Sequence, residues 1–149
     1  MNYKLERYSQ PLNGEITLSS SKSESNRTLI INALSGNKLQ LKNLSDARDT
    51  QTMLRLLSER QPIWDVLDAG TTMRFCTAYL AITGSGETIT GSNRMKERPI
   101  KPLVDALCKL GAKIDYLEQE GFPPLRIIGR KNNFQSQKIG IPGNISSQY

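Results

Sequence analysis

Two short stretches place small hydroxylic or glycine residues and a cation at the start of an apolar-periodic run. They are Ser21-Lys22-Ser23, with Arg27 one turn on, and Ala69-Gly70-Thr71, with Arg74 one turn on. A third stretch, Ser146-Ser147-Gln148, has the same hydroxylic start. A helix start presents unpaired backbone N–H groups and the positive end of the macrodipole, so it suits an anion. Hydroxyls there can donate to phosphate or carboxylate oxygens, and Gly70 lets a ligand approach the backbone. Ordinary capping explains any one start. Three at related positions, two with a cation one turn in, point to a shared anion site. The segment Arg94–Lys101 adds four cations in eight residues. Arg98 precedes the stiffening Pro99, and a guanidinium held this way suits bidentate capture of phosphate or carboxylate. A solvated basic loop is the competing reading. Asp46 and Asp49 could form a carboxylate pair, but Asp49 is better used as a helix cap. Cys76 and Cys108 fall on apolar helix faces and read as inert core thiols.

The elements that must hold these residues follow from periodicity. Helices are expected over about Glu24–Leu34 (N-cap Ser23, closed by Gly36), Thr50–Glu59 (capped by Asp49), Thr71–Ile82 and Pro102–Leu110. Alternating segments read as strands at Lys38–Lys42, Glu87–Gly91, Lys113–Leu117 and Leu125–Ile128. Two more, Tyr3–Ser9 and Glu15–Ser19, flank the turn signal Leu12-Asn13-Gly14. The order repeats: Arg27 and Arg74 are 47 positions apart, Gly36 and Gly84 are 48 apart, and Ser45 and Ser92 are 47 apart. The expected architecture is α/β, with one strand-helix-strand-helix-strand unit present twice. Ser146-Ser147-Gln148 then opens a third, so the sequence reads as part of something longer.

Composition limits the function classes. The 149 residues suffice for one domain and part of another, with a real core. A hydrophobic share of 37% and a charged share of 23% give a globular balance. No apolar run approaches membrane-spanning length, and the first residues lack a signal-peptide core. There are two cysteines and no histidine, which excludes His-dependent triads, nearly every zinc site and a disulfide framework. The expectation is a reduced, intracellular protein. The net charge of +6 fits a solvated basic surface, nucleic acid or a small anionic substrate. Aromatics make up only 6%, and no basic stretch is interleaved with them as a base-stacking platform requires.

At these residues the chain resembles a known family. Ser21-Lys22-Ser23-Glu24-Ser25-Asn26-Arg27 resembles the S-K-S-x-S-N-R opening of the 5-enolpyruvylshikimate-3-phosphate synthases. Asp68–Arg74 is similar to their N-A-G-T-x-M-R stretch. Arg98-Pro99-Ile100 through Leu107 resembles R-P-I-x-x-L-x-x-A-L, and Ser146-Ser147-Gln148 resembles a phosphate-binding S-S-Q. The four motifs stand in family order from Leu18 to Tyr149.

The resemblance implies the enolpyruvyl transferase fold, two domains of repeated α/β units with the helices packed inside. Residues 1–18 would be strands that pair with the other domain, and 19–149 an incomplete substrate-binding domain. It implies transfer of the enolpyruvyl group of phosphoenolpyruvate to the 5-hydroxyl of shikimate-3-phosphate, with no metal or organic cofactor, by a cytoplasmic full-length parent expected to be a monomer that binds no nucleic acid and no membrane. Lys22 would be catalytic and touch phosphoenolpyruvate close to the shikimate side. Ser23 and Arg27 would hold the shikimate ring and carboxylate. Gly70 and Arg98 would hold phosphoenolpyruvate. Ser146 and Ser147 would bind the 3-phosphate, with Gln148 against the ring. Asp68 departs from the family's frequent Asn, and an anion there repels phosphate unless it is tied up locally. The family's acid–base carboxylates fall outside this chain, so the chain alone is expected to be inactive. Three alternatives stay open: the sister enzyme acting on UDP-N-acetylglucosamine, a basic nucleic-acid module, and a non-catalytic anion-binding domain. The first usually carries a cysteine before its Arg-Pro, which Ser92–Glu97 lacks.

Overall fold

The computed structural model describes residues 3, 4, 7, 10, 11, 13–59, 61–129 and 138–141. The element order is α1 (Lys22–Leu34), α2 (Arg48–Ser58), β1 (Ile63–Asp65), α3 (Gly70–Thr83), β2 (Glu87–Thr90), α4 (Asn93–Lys96), α5 (Lys101–Lys109), β3 (Lys113–Tyr116) and β4 (Leu125–Gly129). Among the described residues the four strands form one mixed sheet in the order β1-β2-β4-β3. β1 and β2 run parallel, joined through α3, while β4 is antiparallel to both β2 and β3. A parallel neighbour needs such a crossover, whereas antiparallel strands can be joined by a hairpin.

Register explains the core. Trp64 pairs with Ile89, and Ile89 with Leu125, so the three share one face of the sheet. All three are buried, and Trp64 also lies 6.0 Å, centroid to centroid, from the Tyr79 ring of α3. α3 is apolar around much of its circumference, with Met73, Cys76, Leu80 and Ala81 buried, as befits a helix enclosed by neighbours. It packs against α1, α2, α5, β2 and β4. The expected arrangement, helices inside and strands outside, is therefore present around α3. Among the described residues no helix is long and apolar enough to cross a membrane.

Several expectations need correction. Ser21, not Ser23, caps α1, its side chain accepting from the Glu24 amide at 3.3 Å. Asp49 does not cap α2; the cap position is Ala47, and Asp49 lies inside the first turn. Lys38–Lys42 and Glu15–Ser19 are not strands. Alternation supplies a face but no ladder partner, and a strand needs both. β1 and α4 were not anticipated. The first unit therefore shows two helices followed by β1, and only the second is complete, as β1-α3-β2-α5-β3 with β4 added. The repeat persists in its detail: Arg27 donates to the Ser23 carbonyl at 2.9 Å, and Arg74 to the Gly70 carbonyl at 3.4 Å, four residues back in each case. The Tyr3–Ser9 expectation lies largely outside the described residues.

The two thiols also differ. Cys76 is fully buried, and burial pushes its pKa up to about 12. Cys108 is exposed, contrary to expectation, although it lies one turn on from the buried Val104, because it falls at the C-terminal end of α5. With an aromatic disulfide reagent at pH 8, one thiol per chain should react promptly, and the second only on addition of denaturant. Prompt reaction of Cys76 in the folded chain would show that α3 opens readily.

Candidate functional site

The starts of α1, α2 and α3 meet. Lys22, the first residue of α1, places its ammonium 3.3 Å from the Asp49 carboxylate in the first turn of α2. Thr72, in the first turn of α3, donates to the Asp49 carbonyl at 3.0 Å. Arg48, the first residue of α2, lies 3.5 Å from Asp68, two residues before α3. Buried bonds fix this register. The Ser45 amide donates to the Ser25 hydroxyl at 2.9 Å, and the Thr50 hydroxyl to Asn26 Oδ1 at 2.8 Å. Asn26 is fully buried, so its carbonyl has no solvent alternative to Thr50. This explains why a polar residue sits between apolar helix faces.

Arg98 reaches the same place from the other side. Met95 and Ile100, both buried, anchor the loop at each end. The β3–β4 hairpin tip grips it: Lys96 pairs with Glu118 at 2.7 Å, the Ile100 amide donates to the Gly121 carbonyl at 2.9 Å, and Lys101 pairs with Glu120. Arg74 ties α3 to the loop by donating to the Pro99 carbonyl at 3.4 Å. Held this way, the Arg98 guanidinium lies over Gly70. A Cβ at position 70 would come within 2.8 Å of Arg98 Cζ and 2.9 Å of Nη2. Gly70 is helical here, so it is required by close approach and not by a left-handed backbone.

A cleft of about 440 Å³ opens beside it, lined by Asp68, Arg94, Met95 and Arg98. The cap of α3, Ala69, offers no side-chain hydrogen bond to the helix N–H groups. A guanidinium over a positive helix end is unfavourable unless an anion joins them, so the arrangement is complementary to phosphate or carboxylate.

The sequence-derived site residues thus fall into groups. Arg98 lines the cleft, and Gly70 is buried beneath its guanidinium. Lys22 lies at the neighbouring α1 start with Asp49. Ser23 and Arg27 are exposed on the first turns of α1, and none of these three lines the cleft. Ser146, Ser147 and Gln148 lie outside the described residues. Asp49 as the partner of Lys22, and Glu118 and Glu120 as supports of the Arg98 loop, were not visible in the sequence. Each acts across 19 to 27 positions, beyond any local spacing rule.

The overall course of the chain places it among repeated α/β enolpyruvyl transferase folds. It superposes on EPSP synthase from Acinetobacter baumannii with a TM-score of 0.71 at 18% identity, covering 87% of this chain and 35% of that one. The sequence is more specific. Residues 7–61 and 59–149 match the family described as EPSP synthase (3-phosphoshikimate 1-carboxyvinyltransferase), and the chain belongs to that family. It is 52% identical over 149 residues to the 3-phosphoshikimate 1-carboxyvinyltransferase of Bacteroides fragilis (strain YCH46), and 43% identical over 164 to that of Pectobacterium carotovorum (strain PC1). These alignments take in 100% and 93% of this chain but only 36% and 38% of the relatives. The chain thus spans little more than a third of their length.

Proposed function

We propose that this chain supplies one wall of the active site of a 3-phosphoshikimate 1-carboxyvinyltransferase. The observation that carries the reading is the Arg98 guanidinium held over Gly70 at the start of α3, a place shaped for an anion. In the reaction, the 5-hydroxyl of shikimate-3-phosphate adds to C2 of phosphoenolpyruvate. C3 gains a proton and the hydroxyl loses one, giving a tetrahedral adduct. Breaking the C2–O bond to phosphate then releases inorganic phosphate, and loss of a C3 proton restores the double bond. Both substrates are multiply anionic, which matches a chain of net charge +6.

Gly70 and Arg98 take the phosphoenolpyruvate side, and Lys22 lies between the substrates. Ser23 and Arg27 face the shikimate ring and carboxylate, while Ser146, Ser147 and Gln148 take the 3-phosphate and ring. Residues 19–149 belong to one domain, with the segment before them pairing with the other. The full-length protein works as a cytoplasmic monomer without nucleic acid. A full-length enzyme carrying this segment should release phosphate from phosphoenolpyruvate with shikimate-3-phosphate and not with UDP-N-acetylglucosamine. The 149-residue chain alone should release none. The reverse substrate preference would overturn the assignment.

A further inference from the structure

Among the described residues that line the cleft Asp68 is the one carboxylate, and a carboxylate there opposes anion binding. Arg48 is the first residue of α2, where the helix macrodipole disfavours a cation. Each placement is unfavourable alone, and the two side chains meet at 3.5 Å. Folding does not explain the pairing, because the side chains are 74% and 54% exposed and such pairs contribute little to stability. Nor is Arg48 matched by its neighbour, since Asp49 pairs with Lys22. We propose that Arg48 and Asp68 form a charge-setting pair for the anion cleft: Arg48 cancels the Asp68 carboxylate, leaving Arg94 and Arg98 to act on the bound anion. The inference rests on the reading of the cleft given above and names the residues that tune its affinity.

The test is titration of the 149-residue chain with inorganic phosphate at low ionic strength, followed by the NMR signals of the Gly70 amide and the Arg98 side chain. Arg48→Gln exposes the carboxylate and should weaken binding about 3- to 10-fold, whereas Asp68→Asn should tighten it by a similar factor. The double variant has the same net pair charge as the wild type and should return to within about 2-fold of it. All these differences should shrink at high salt. An Arg48→Gln variant that binds like the wild type, or an Asp68→Asn variant that binds more weakly, would overturn the pair while leaving the cleft standing. If phosphate moves neither signal even in Asp68→Asn, the cleft reading fails and the pair falls with it.

Discussion

Gly70→Ala is expected to leave the fold intact and to weaken phosphoenolpyruvate binding by about 10- to 150-fold in a full-length enzyme carrying this segment, the equivalent of losing one charge-assisted hydrogen bond of about 1.5–3 kcal/mol. Position 70 opens α3 with helical backbone, where alanine is at least as good as glycine. What alanine cannot do is share space with the Arg98 guanidinium, whose Cζ and Nη2 lie 2.8 and 2.9 Å from the new methyl. The guanidinium is the flexible end of its side chain and swings away at little cost. The damage is thus to the site and not to stability. Arg98→Lys keeps the charge but loses the planar fork, and should produce a similar loss. Because both changes remove the same contact, the double variant should be scarcely worse than either single one. Steady-state kinetics with each substrate varied in turn, alongside thermal melting, decides the matter. Should Gly70→Ala lower the melting temperature sharply and leave the phosphoenolpyruvate dependence unchanged, Gly70 is a packing residue. Should the two substitutions multiply, they act on separate contacts.

The parts of this arrangement differ in how far they can be read from sequence. α1, α3 and α5 announce themselves by periodicity and glycine punctuation, and begin within two residues of the expected positions. β2, β3 and β4 likewise follow from alternation. β1 does not: it has three residues, and its Trp64 is buried by tertiary packing, beside Ile89 of β2 and against the Tyr79 ring of α3. Lys38–Lys42 fails for the converse reason, since it alternates without a neighbour to complete a ladder. Within the site, the motifs give Lys22 and Arg98 and the Gly70 that lies beneath the Arg98 guanidinium. They do not give the residues that hold them. Asp49 looks like a cap because it precedes an apolar run, and only the packing of α1 on α2 turns it toward Lys22. Glu118 and Glu120 look like a solvated turn, and only the fold of the β3–β4 hairpin carries them to the Arg98 loop. Contacts made across such separations are consequences of the tertiary structure, so local spacing is silent about them.

Lys22→Ala should have the other large effect, a loss of about 100-fold or more in turnover, the scale on which a positioned proton-transfer or charge-stabilising group acts. Lys22 starts α1 beside the α2 start, and its ammonium is held by Asp49 at 3.3 Å. The Lys22 side chain is 48% exposed, and an ion pair with so accessible a partner contributes only about 1 kcal/mol to stability. An ammonium at the positive end of its own helix is disfavoured unless something negative approaches it. Asp49 supplies part of that charge, and in the proposed function the anionic substrates would supply the rest. Asp49→Asn should therefore do less harm than Lys22→Ala, since the ammonium remains and loses only its orientation. Its effect should nearly vanish when Lys22 is already alanine. Lys22→Arg keeps the charge and the ion pair, but its larger planar head cannot occupy the same point, so turnover should still fall. Turnover numbers at saturating substrates, with melting curves as the control for folding, test the whole set. Retention of turnover within about 10-fold in Lys22→Ala would reduce Lys22 to an ordinary surface lysine. A melting temperature that fell in parallel with activity would make the pair structural, and either result would move the chemistry away from the α1 start.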